Sequence, residues 1–190
     1  MRVSRATYEE ELPPQSAAVV GYSDGGIIAL EMAIHHPDRE ARLAVTGANS
    51  RTDGFTVENV EWERSFNPDT EPVSAAYARL SPDGEVHWPI VLGRLQQMWR
   101  MEPSLTDKQL QSIAQPTLII VGDGDIVTLE HAIEMFRTIP EAQLCVVPRA
   151  GHGTMPLETV RTFLDEGGAE QNLMAGSLFE WHRTHTPREF

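Results

Sequence analysis

The pentapeptide Gly21-Tyr22-Ser23-Asp24-Gly25 decides how this 190-residue chain is interpreted. It follows an apolar run at residues 17–22 that is typical of a short buried strand. It precedes an apolar segment at residues 25–36, which predicts a buried helix that ends before Pro37. A serine in a sharp turn from strand to helix has an exposed hydroxyl, and the first amides of the helix favour developing negative charge beside it. The pattern therefore indicates a nucleophilic serine, although a serine that only caps the helix is the simpler alternative.

Two further loops carry the side chains that a nucleophilic serine needs. A β-branched run at residues 116–122 predicts a strand buried on both faces, and Asp123 and Asp125 follow it directly. Another strand is predicted at residues 144–147, and His152 lies in the glycine-flanked loop after it. Polar side chains at the carboxyl ends of parallel strands meet at one edge of the sheet. Either aspartate suits an acid that orients a histidine base, whereas a plain Asp/Gly turn, a metal-binding Asp-x-Asp pair and a surface histidine are the alternatives.

The rest of the chain predicts an α/β layer with a parallel sheet, because strands and helices alternate along it. Residues 51–114 interrupt this alternation with helical patterns, prolines and three of the four tryptophans, and they are interpreted as an inserted, mainly helical subdomain. The core is predicted at residues 17–50 and 115–166, between an irregular arm at residues 1–16 and a tail at residues 167–190. The remaining predicted elements are a strand at residues 43–48 and helices at residues 129–139 and 156–164.

The composition excludes several classes of protein. The chain has 15 Lys and Arg against 28 Asp and Glu, a net charge of −13, which argues against nucleic-acid or anionic-membrane partners. No stretch approaches the ~18 apolar residues of a membrane-spanning helix, and the N-terminus lacks the apolar centre of a secretory signal. The single cysteine, Cys145, cannot form an intramolecular disulfide. A cytoplasmic protein is therefore expected.

The three loops together resemble the α/β-hydrolase family, in the branch of small esterases, lactonases, carbon–carbon bond hydrolases and cofactor-free haloperoxidase-like proteins. Residues 21–26 are similar to the family's nucleophile elbow, residues 116–125 to its acid strand and loop, and Gly151-His152 to its histidine loop. The resemblance covers residues 17–166. It implies that Ser23 is the nucleophile, Asp125 the acid and His152 the base. Asp125 is preferred because the family places its acid three positions after a glycine.

The resemblance also implies a substrate pocket and a reaction. The amide of Asp24 would supply one oxyanion donor, and residues 51–114 correspond to the family's cap. Trp88, Met98 and Trp99 would line an apolar pocket under the cap, although a small core that holds the cap together is the simpler alternative. No metal or organic cofactor is implied. The expected reaction is hydrolysis of a small ester or lactone through an acyl-enzyme, with carbon–carbon bond hydrolysis second and a non-catalytic binding or interaction module as the rival.

The resemblance is incomplete before the elbow. A whole fold of this family has several strands there, whereas residues 1–16 do not have a strand pattern, so a partial sheet of about four strands is predicted. The strand at residues 17–22 would then lie at an exposed edge, and such edges favour pairing with another chain. The loop that supplies the family's second oxyanion donor has no counterpart in residues 1–16. Self-association through the strand edge and weak activity are therefore expected.

Overall fold

The described part of the chain, residues 16–65 and 72–165 of a computed structural model, is an alternation of strands and helices. The predicted tail and all but the last residue of the predicted arm lie outside these residues. Short 3-10 helices lie at Thr52–Gly54 and Glu85–His87. The other elements, in chain order, are β1 (Ala17–Tyr22), α1 (Asp24–His35), β2 (Glu40–Thr46), α2 (Val57–Ser65), α3 (Pro72–Leu80), α4 (Trp88–Met101), α5 (Asp107–Gln111), β3 (Thr117–Gly124), α6 (Leu129–Thr138), β4 (Ala142–Gly151) and α7 (Leu157–Asp165).

The four strands form one sheet in the order β1-β2-β3-β4, and each strand is parallel to its neighbour. The predicted partial α/β fold, a mainly parallel sheet of about four strands flanked by helices, is confirmed. The strand predicted at residues 144–147 is longer than expected. It continues to Gly151 because β3 and β4 pair again at Gly124 and Gly151, beyond an irregularity in their register.

Strands β1 and β4 are the two edges of the sheet within the described residues. The amides and carbonyls of β1 pair with β2 alone, from Ala17 opposite Glu40 to Tyr22 opposite Thr46. This is the position predicted for the strand that precedes Ser23. Self-association through that edge stays a prediction.

Alternate residues of the central strands point to opposite sides of the sheet. Because these residues are apolar on both sides, helices cover both faces. The larger core lies between the sheet and helices α1, α5 and α6. Helix α7 closes the smaller core on the other face. The larger core contains Ala29, Leu30, Ala33, Leu43, Val45, Ala48, Leu105, Leu110, Ile113, Ile119, Val121, Ala132, Met135 and Ile139, and the smaller one contains Ala18, Val20, Ala44, Leu118, Ile120, Met155, Val160, Phe163 and Leu164.

Helix α1 is less buried than its sequence predicts. Its Ala29, Leu30 and Ala33 are buried against the sheet, but Ile28 is 60% exposed. The helix is apolar on nearly every side, but only the side that faces the sheet is buried in the core.

The described residues between β2 and β3 form helices, turns and isolated bridges. Two antiparallel bridges tie this region together and to the core, one between Arg51 and Ser104 and one between Phe55 and Val127. The division of the chain at residues 51 and 114 stays a prediction. Among all described helices, none combines the length and the apolar character that crossing a membrane requires.

Candidate active site

Ser23 occupies the turn between β1 and α1. Its backbone is in the left-handed half of conformational space, with φ 53° and ψ −124°, where a residue with a side chain is strained. The turn is held by the Ser23 amide, which donates to the Thr46 carbonyl at 2.9 Å, and by the Ser23 carbonyl, which accepts from Gly26 and Ile27 in the first turn of α1. The strain is therefore balanced by hydrogen bonds on both sides of the serine.

Three loops that are distant in the chain bring Ser23, His152 and Asp125 together. His152 Nε2 lies 3.1 Å from Ser23 Oγ, and His152 Nδ1 lies 2.8 Å from Asp125 Oδ1. The imidazole thus links the hydroxyl to the carboxylate, the arrangement in which a histidine can accept the serine proton. The ring of Tyr22 packs against the His152 ring with centroids 5.0 Å apart.

Asp125 is held as a charged orienting group. Burial opposes its ionisation, but the hydrogen bonds from His152 and from the Val127 amide outweigh that effect and lower the pKa of the Asp125 carboxyl. A carboxylate bonded to Nδ1 keeps the proton on that nitrogen, so Nε2 faces Ser23 with a free lone pair.

Asp123 does not contact the histidine ring. Its Oδ1 accepts a hydrogen bond from the Ala150 amide at 3.2 Å, and backbone donors at Arg149 and Ala150 lower the pKa of the exposed Asp123 carboxyl. The sequence left both aspartates open as the acid. Asp125 is the one beside His152, whereas Asp123 bonds to the end of β4, just before His152. In the described ranges, three or more His, Cys, Asp or Glu side chains nowhere converge as a metal site would require.

Two glycines give the histidine room to reach across the sheet. Gly47, just after β2, has φ +57°, and a Cβ there would lie 2.8 Å from His152 Nδ1. At Gly122 in β3, a Cβ would lie 2.0 Å from the Ala150 carbonyl oxygen. Both distances are far below normal contact, so a side chain at either position would displace the histidine loop.

A cavity of about 1090 Å³ opens over the three residues. It is bounded by the loop after β2, by helix α2 and by the end of helix α4. Beyond Ser23, Asp125 and His152, the lining residues are Asp24, Asn49, Thr52, Phe55, Thr56, Glu58, Asn59, Val60, Trp99, Arg100, Asp123, Gly124 and Ile126.

The predicted aromatic pocket is only partly observed. Trp99 lines the cavity, and its Nε1 donates to the Asp24 carboxylate at 3.1 and 3.3 Å. Trp88 and Met98 are not among the described residues that line this cavity, so their place in a substrate pocket stays a prediction. Trp88 lies about three helical turns from Trp99 and packs on Tyr77, and Met98 is turned ~100° around the helix from Trp99 and is exposed.

Several lining residues were missed by sequence reasoning. Asn49 follows β2 in the chain, so the rule that exposes functional groups at the carboxyl ends of strands would have found it. Residues of α2 and α4, such as Glu58 and Arg100, carry no such signal, because their place over the sheet depends on how the helices fold back.

The alpha/beta hydrolase family model matches residues 2–166 of the chain. The chain belongs to the alpha/beta hydrolase family. This assignment agrees with the order of the strands and with the position of Ser23 between strand and helix.

The chain is similar to several hydrolases. It is 27% identical over 154 residues to the 2-hydroxy-6-oxo-2,4-heptadienoate hydrolase of Pseudomonas putida, covering 70% of this chain and 56% of the relative. It is 26% identical over 166 residues to the 2-hydroxymuconate semialdehyde hydrolase of Pseudomonas sp. strain CF600, covering 76% and 58%. The chain thus spans somewhat more than half the length of these curated relatives.

A solved structure shows the same fold. The meta-cleavage product hydrolase CumD of Pseudomonas fluorescens IP01 superposes with a TM-score of 0.60 at 24% identity, covering 86% of this chain and 67% of that chain. The similarity covers most of this chain, and it leaves part of the larger protein without a counterpart here.

Proposed function

We propose that this alpha/beta hydrolase is a serine hydrolase that cleaves a small ester, lactone or related carbonyl substrate. The observation that carries the proposal is the continuous link from Ser23 Oγ through His152 to Asp125, at 3.1 and 2.8 Å, beside a cavity. Hydroxyl, imidazole and carboxylate in this sequence are the groups that acyl transfer needs.

The proposed reaction has two halves. Ser23 Oγ attacks the carbonyl carbon while His152 Nε2 takes the hydroxyl proton. The same nitrogen returns the proton to the leaving alkoxide, which leaves an acyl group on Ser23. Water then attacks the acyl carbon with His152 again as base, and the acid product departs as Ser23 recovers its proton. Asp125 keeps the imidazole in the required tautomer and stabilises its charged form.

The negative oxygen of each tetrahedral intermediate needs hydrogen-bond donors. The amides of Asp24 and Gly25 open helix α1, and the first amides of a helix have no acceptor within it. We assign the Asp24 amide as one donor of the oxyanion hole. The positive end of the helix dipole adds to its effect.

The charge of the cavity favours a neutral substrate. Among the described residues that line it, four are acidic and one is an arginine: Asp24, Glu58, Asp123 and Asp125 against Arg100. An anion such as the heptadienoate in the name of one relative would enter against this balance. An ester or lactone is therefore the leading substrate class.

Carbon–carbon bond hydrolysis is the second candidate, and the names of the two curated relatives favour it. It would use the same three residues with a different first proton transfer. Turnover of a neutral chromogenic ester but not of a 2-hydroxy-6-oxo-dienoate would separate the two candidates.

Labelling with a fluorophosphonate probe tests whether Ser23 is a nucleophile. We expect the full chain to be labelled on the peptide that contains Ser23 and Ser23→Ala to remain unlabelled. Ser112→Ala is a matched control, because Ser112 is an exposed serine at the end of α5 that donates only to Gln109. Absent labelling of the native chain, or equal labelling of Ser23→Ala, would support the rival, a non-catalytic binding module.

A further inference from the structure

A second serine and histidine pair lies behind the cavity. The buried ring of His131, in the first turn of α6, accepts a hydrogen bond from the Ser50 amide at Nε2, at 3.0 Å, and Ser50 Oγ lies 3.1 Å from the same nitrogen. Its Nδ1 faces Glu134 Oε2 at 3.6 Å. Ser50 is completely buried and His131 is 4% exposed. A substrate cannot reach this serine, and the lone pair of Nε2 is already occupied by the amide.

This pair ties the segment Asn49–Gly54, the cavity loop, to helix α6. Ser50 lies between Asn49 and Arg51, and both Asn49 and Thr52 line the cavity. The His131 ring also packs on Gly54 so closely that a Cβ there would lie 2.5 Å from the ring. The ring is thus wedged between the two ends of the cavity loop.

We propose that His131 is a positioning residue of the substrate cavity, which holds the cavity loop in place only while its imidazole is neutral. The inference rests on the proposed hydrolase function of the same cavity. His131 acts through Ser50 and Gly54 and does not itself touch the substrate.

The neutral form is required by the hydrogen bond. Nε2 accepts from a backbone amide, so the ring proton is on Nδ1, towards Glu134. Protonation would place an N–H against the N–H of Ser50, and a buried donor without an acceptor is costly. The Ser50 amide would then lose its acceptor, and the cavity loop would lose its attachment to helix α6.

The surroundings of His131 favour the neutral form at ordinary pH. Burial and the nearby Arg51 guanidinium lower the pKa of the His131 imidazole, and the carboxylates of Glu134 and Asp53 oppose them without reversing the direction. Arg51 forms ion pairs with both carboxylates, at 2.8 Å from Glu134 and 3.2 Å from Asp53. The start of helix α6 also disfavours a positive charge.

The test separates binding from chemistry through the two constants of fluorophosphonate labelling, the inactivation rate kinact and the binding constant KI. We expect KI of the native chain to rise about tenfold between pH 8 and pH 5, since the loss of a buried hydrogen bond loosens the cavity loop. His152 acts as the base in the bond-forming step, so its contribution appears in kinact. The two histidines therefore affect different constants.

Two variants and a control complete the test. His131→Gln keeps an acceptor that does not titrate, so its KI should match the native value at pH 8 and stay flat to pH 5. His131→Leu has no acceptor, so its KI should be raised at both pH values. His35→Gln should follow the native chain, because the side chain of His35 is 60% exposed and, within the described ranges, pairs only with Glu31 on α1.

The outcomes distinguish this inference from the proposed function. A native KI that is flat with pH, or a His131→Gln variant that keeps the native rise, would overturn the positioning role while labelling of Ser23 stands. If the native chain is not labelled at all, hydrogen exchange of the Ser50 amide decides instead. Protection that is equal at pH 8 and pH 5, after correction for the chemical exchange rate, would overturn it, and loss of protection at pH 5 in the native chain but not in His131→Gln supports it.

Discussion

The molecule contains two sets of serine, histidine and acid, and they differ in access and in what the histidine bonds. In the proposed catalytic set, Ser23 stands in a strained turn beside the cavity and His152 Nε2 faces its hydroxyl at 3.1 Å. In the buried set, Ser50 Oγ is equally near His131 Nε2, at 3.1 Å. There the backbone amide of Ser50 occupies the same nitrogen and the acid is 3.6 Å away.

The comparison shows that a short serine–histidine distance does not by itself make a nucleophile. A base must have a free lone pair, and the hydroxyl must meet a substrate. In the proposed catalytic set, His152 Nε2 faces the Ser23 hydroxyl, and that hydroxyl lies beside the cavity. The buried set uses the same residue types to fasten a loop.

The largest expected effect separates the two serines directly. Ser23→Ala should lower the hydrolysis rate of p-nitrophenyl butyrate by about 10⁶-fold, because it removes the nucleophile. Ser50→Ala removes a hydroxyl but leaves the amide that His131 accepts, so its loss should stay below about tenfold. Comparable losses for both variants would contradict the distinction drawn here.

The two acids should differ almost as much. Asp125→Asn should lower kcat by about 10⁴-fold, since an amide in place of the carboxylate favours the wrong tautomer of His152. Glu134→Gln should change kcat by less than about threefold, because Glu134 is too far from His131 for a good hydrogen bond. Steady-state kinetics of both variants, with melting curves as a check on folding, would show the difference.

Gly47 tests the room around the catalytic histidine. Gly47→Ala places a Cβ against His152 Nδ1 in a left-handed backbone, so kcat should fall by about 10²-fold or more and stability by about 1–2 kcal/mol. Gly93→Ala is the matched control, because a Cβ at Gly93 in helix α4 meets nothing within 4 Å. It should keep activity and gain about 0.5–1 kcal/mol in unfolding free energy. A Gly47→Ala enzyme as active as Gly93→Ala would show that His152 has more room than its contacts indicate.

The smallest expected effect extends the comparison to buried acids. Asp125 accepts hydrogen bonds, whereas Glu40, 3% exposed at the start of β2, has no hydrogen-bond partner for either carboxyl oxygen among the described residues. Burial raises the pKa of Glu40 from 4.5 to about 7. Between these two pH values the folded state holds a proton that the unfolded state releases. The contribution of Glu40 to stability is therefore largest below pH 4.5 and is lost as the pH rises through 7.

Urea unfolding at pH 5 and pH 8 measures this dependence. We expect Glu40→Gln to remove a pH-dependent loss on the order of 2–3 kcal/mol, because each unit of pKa shift corresponds to about 1.4 kcal/mol. The control is Glu141→Gln, an exposed glutamate in the turn before β4. Native and Glu40→Gln curves that fall in parallel with pH would show that Glu40 finds a partner in the folded chain.

Most of the fold and the three central residues of the site could be predicted from the sequence. Apolar runs with β-branched residues locate the strands, and each of Ser23, Asp125 and His152 follows its own strand, so their convergence is predictable from the parallel order. The choice between Asp123 and Asp125 needed the resemblance, because both come directly after the strand that the sequence predicts at residues 116–122. Their bonds differ only in the folded chain, where one meets His152 and the other the Ala150 amide.

Other parts of the site depend on contacts between distant segments. Ser50 and His131 are 81 residues apart, and nothing in either local sequence marks them as partners. Trp88, Met98 and Trp99 were all predicted to line a pocket under the cap, but of the three only Trp99 lines the cavity, where it bonds to Asp24. Helical periodicity gives relative directions around an axis, whereas the direction that faces the cavity is set by packing.

The order of the strands has a consequence for how remote substitutions act. Ser23 follows the strand at one border of the sheet and His152 the strand at the opposite border, so three inter-strand spacings of about 4.8 Å separate the strands from which they extend. The loops and side chains bridge most of that distance across the sheet, and 3.1 Å is left between His152 Nε2 and Ser23 Oγ. A change in the twist or shear of the two middle strands would alter this distance. A substitution that leaves a cavity at Ile119 or Ala44, far from Ser23, would therefore lengthen the path of proton transfer.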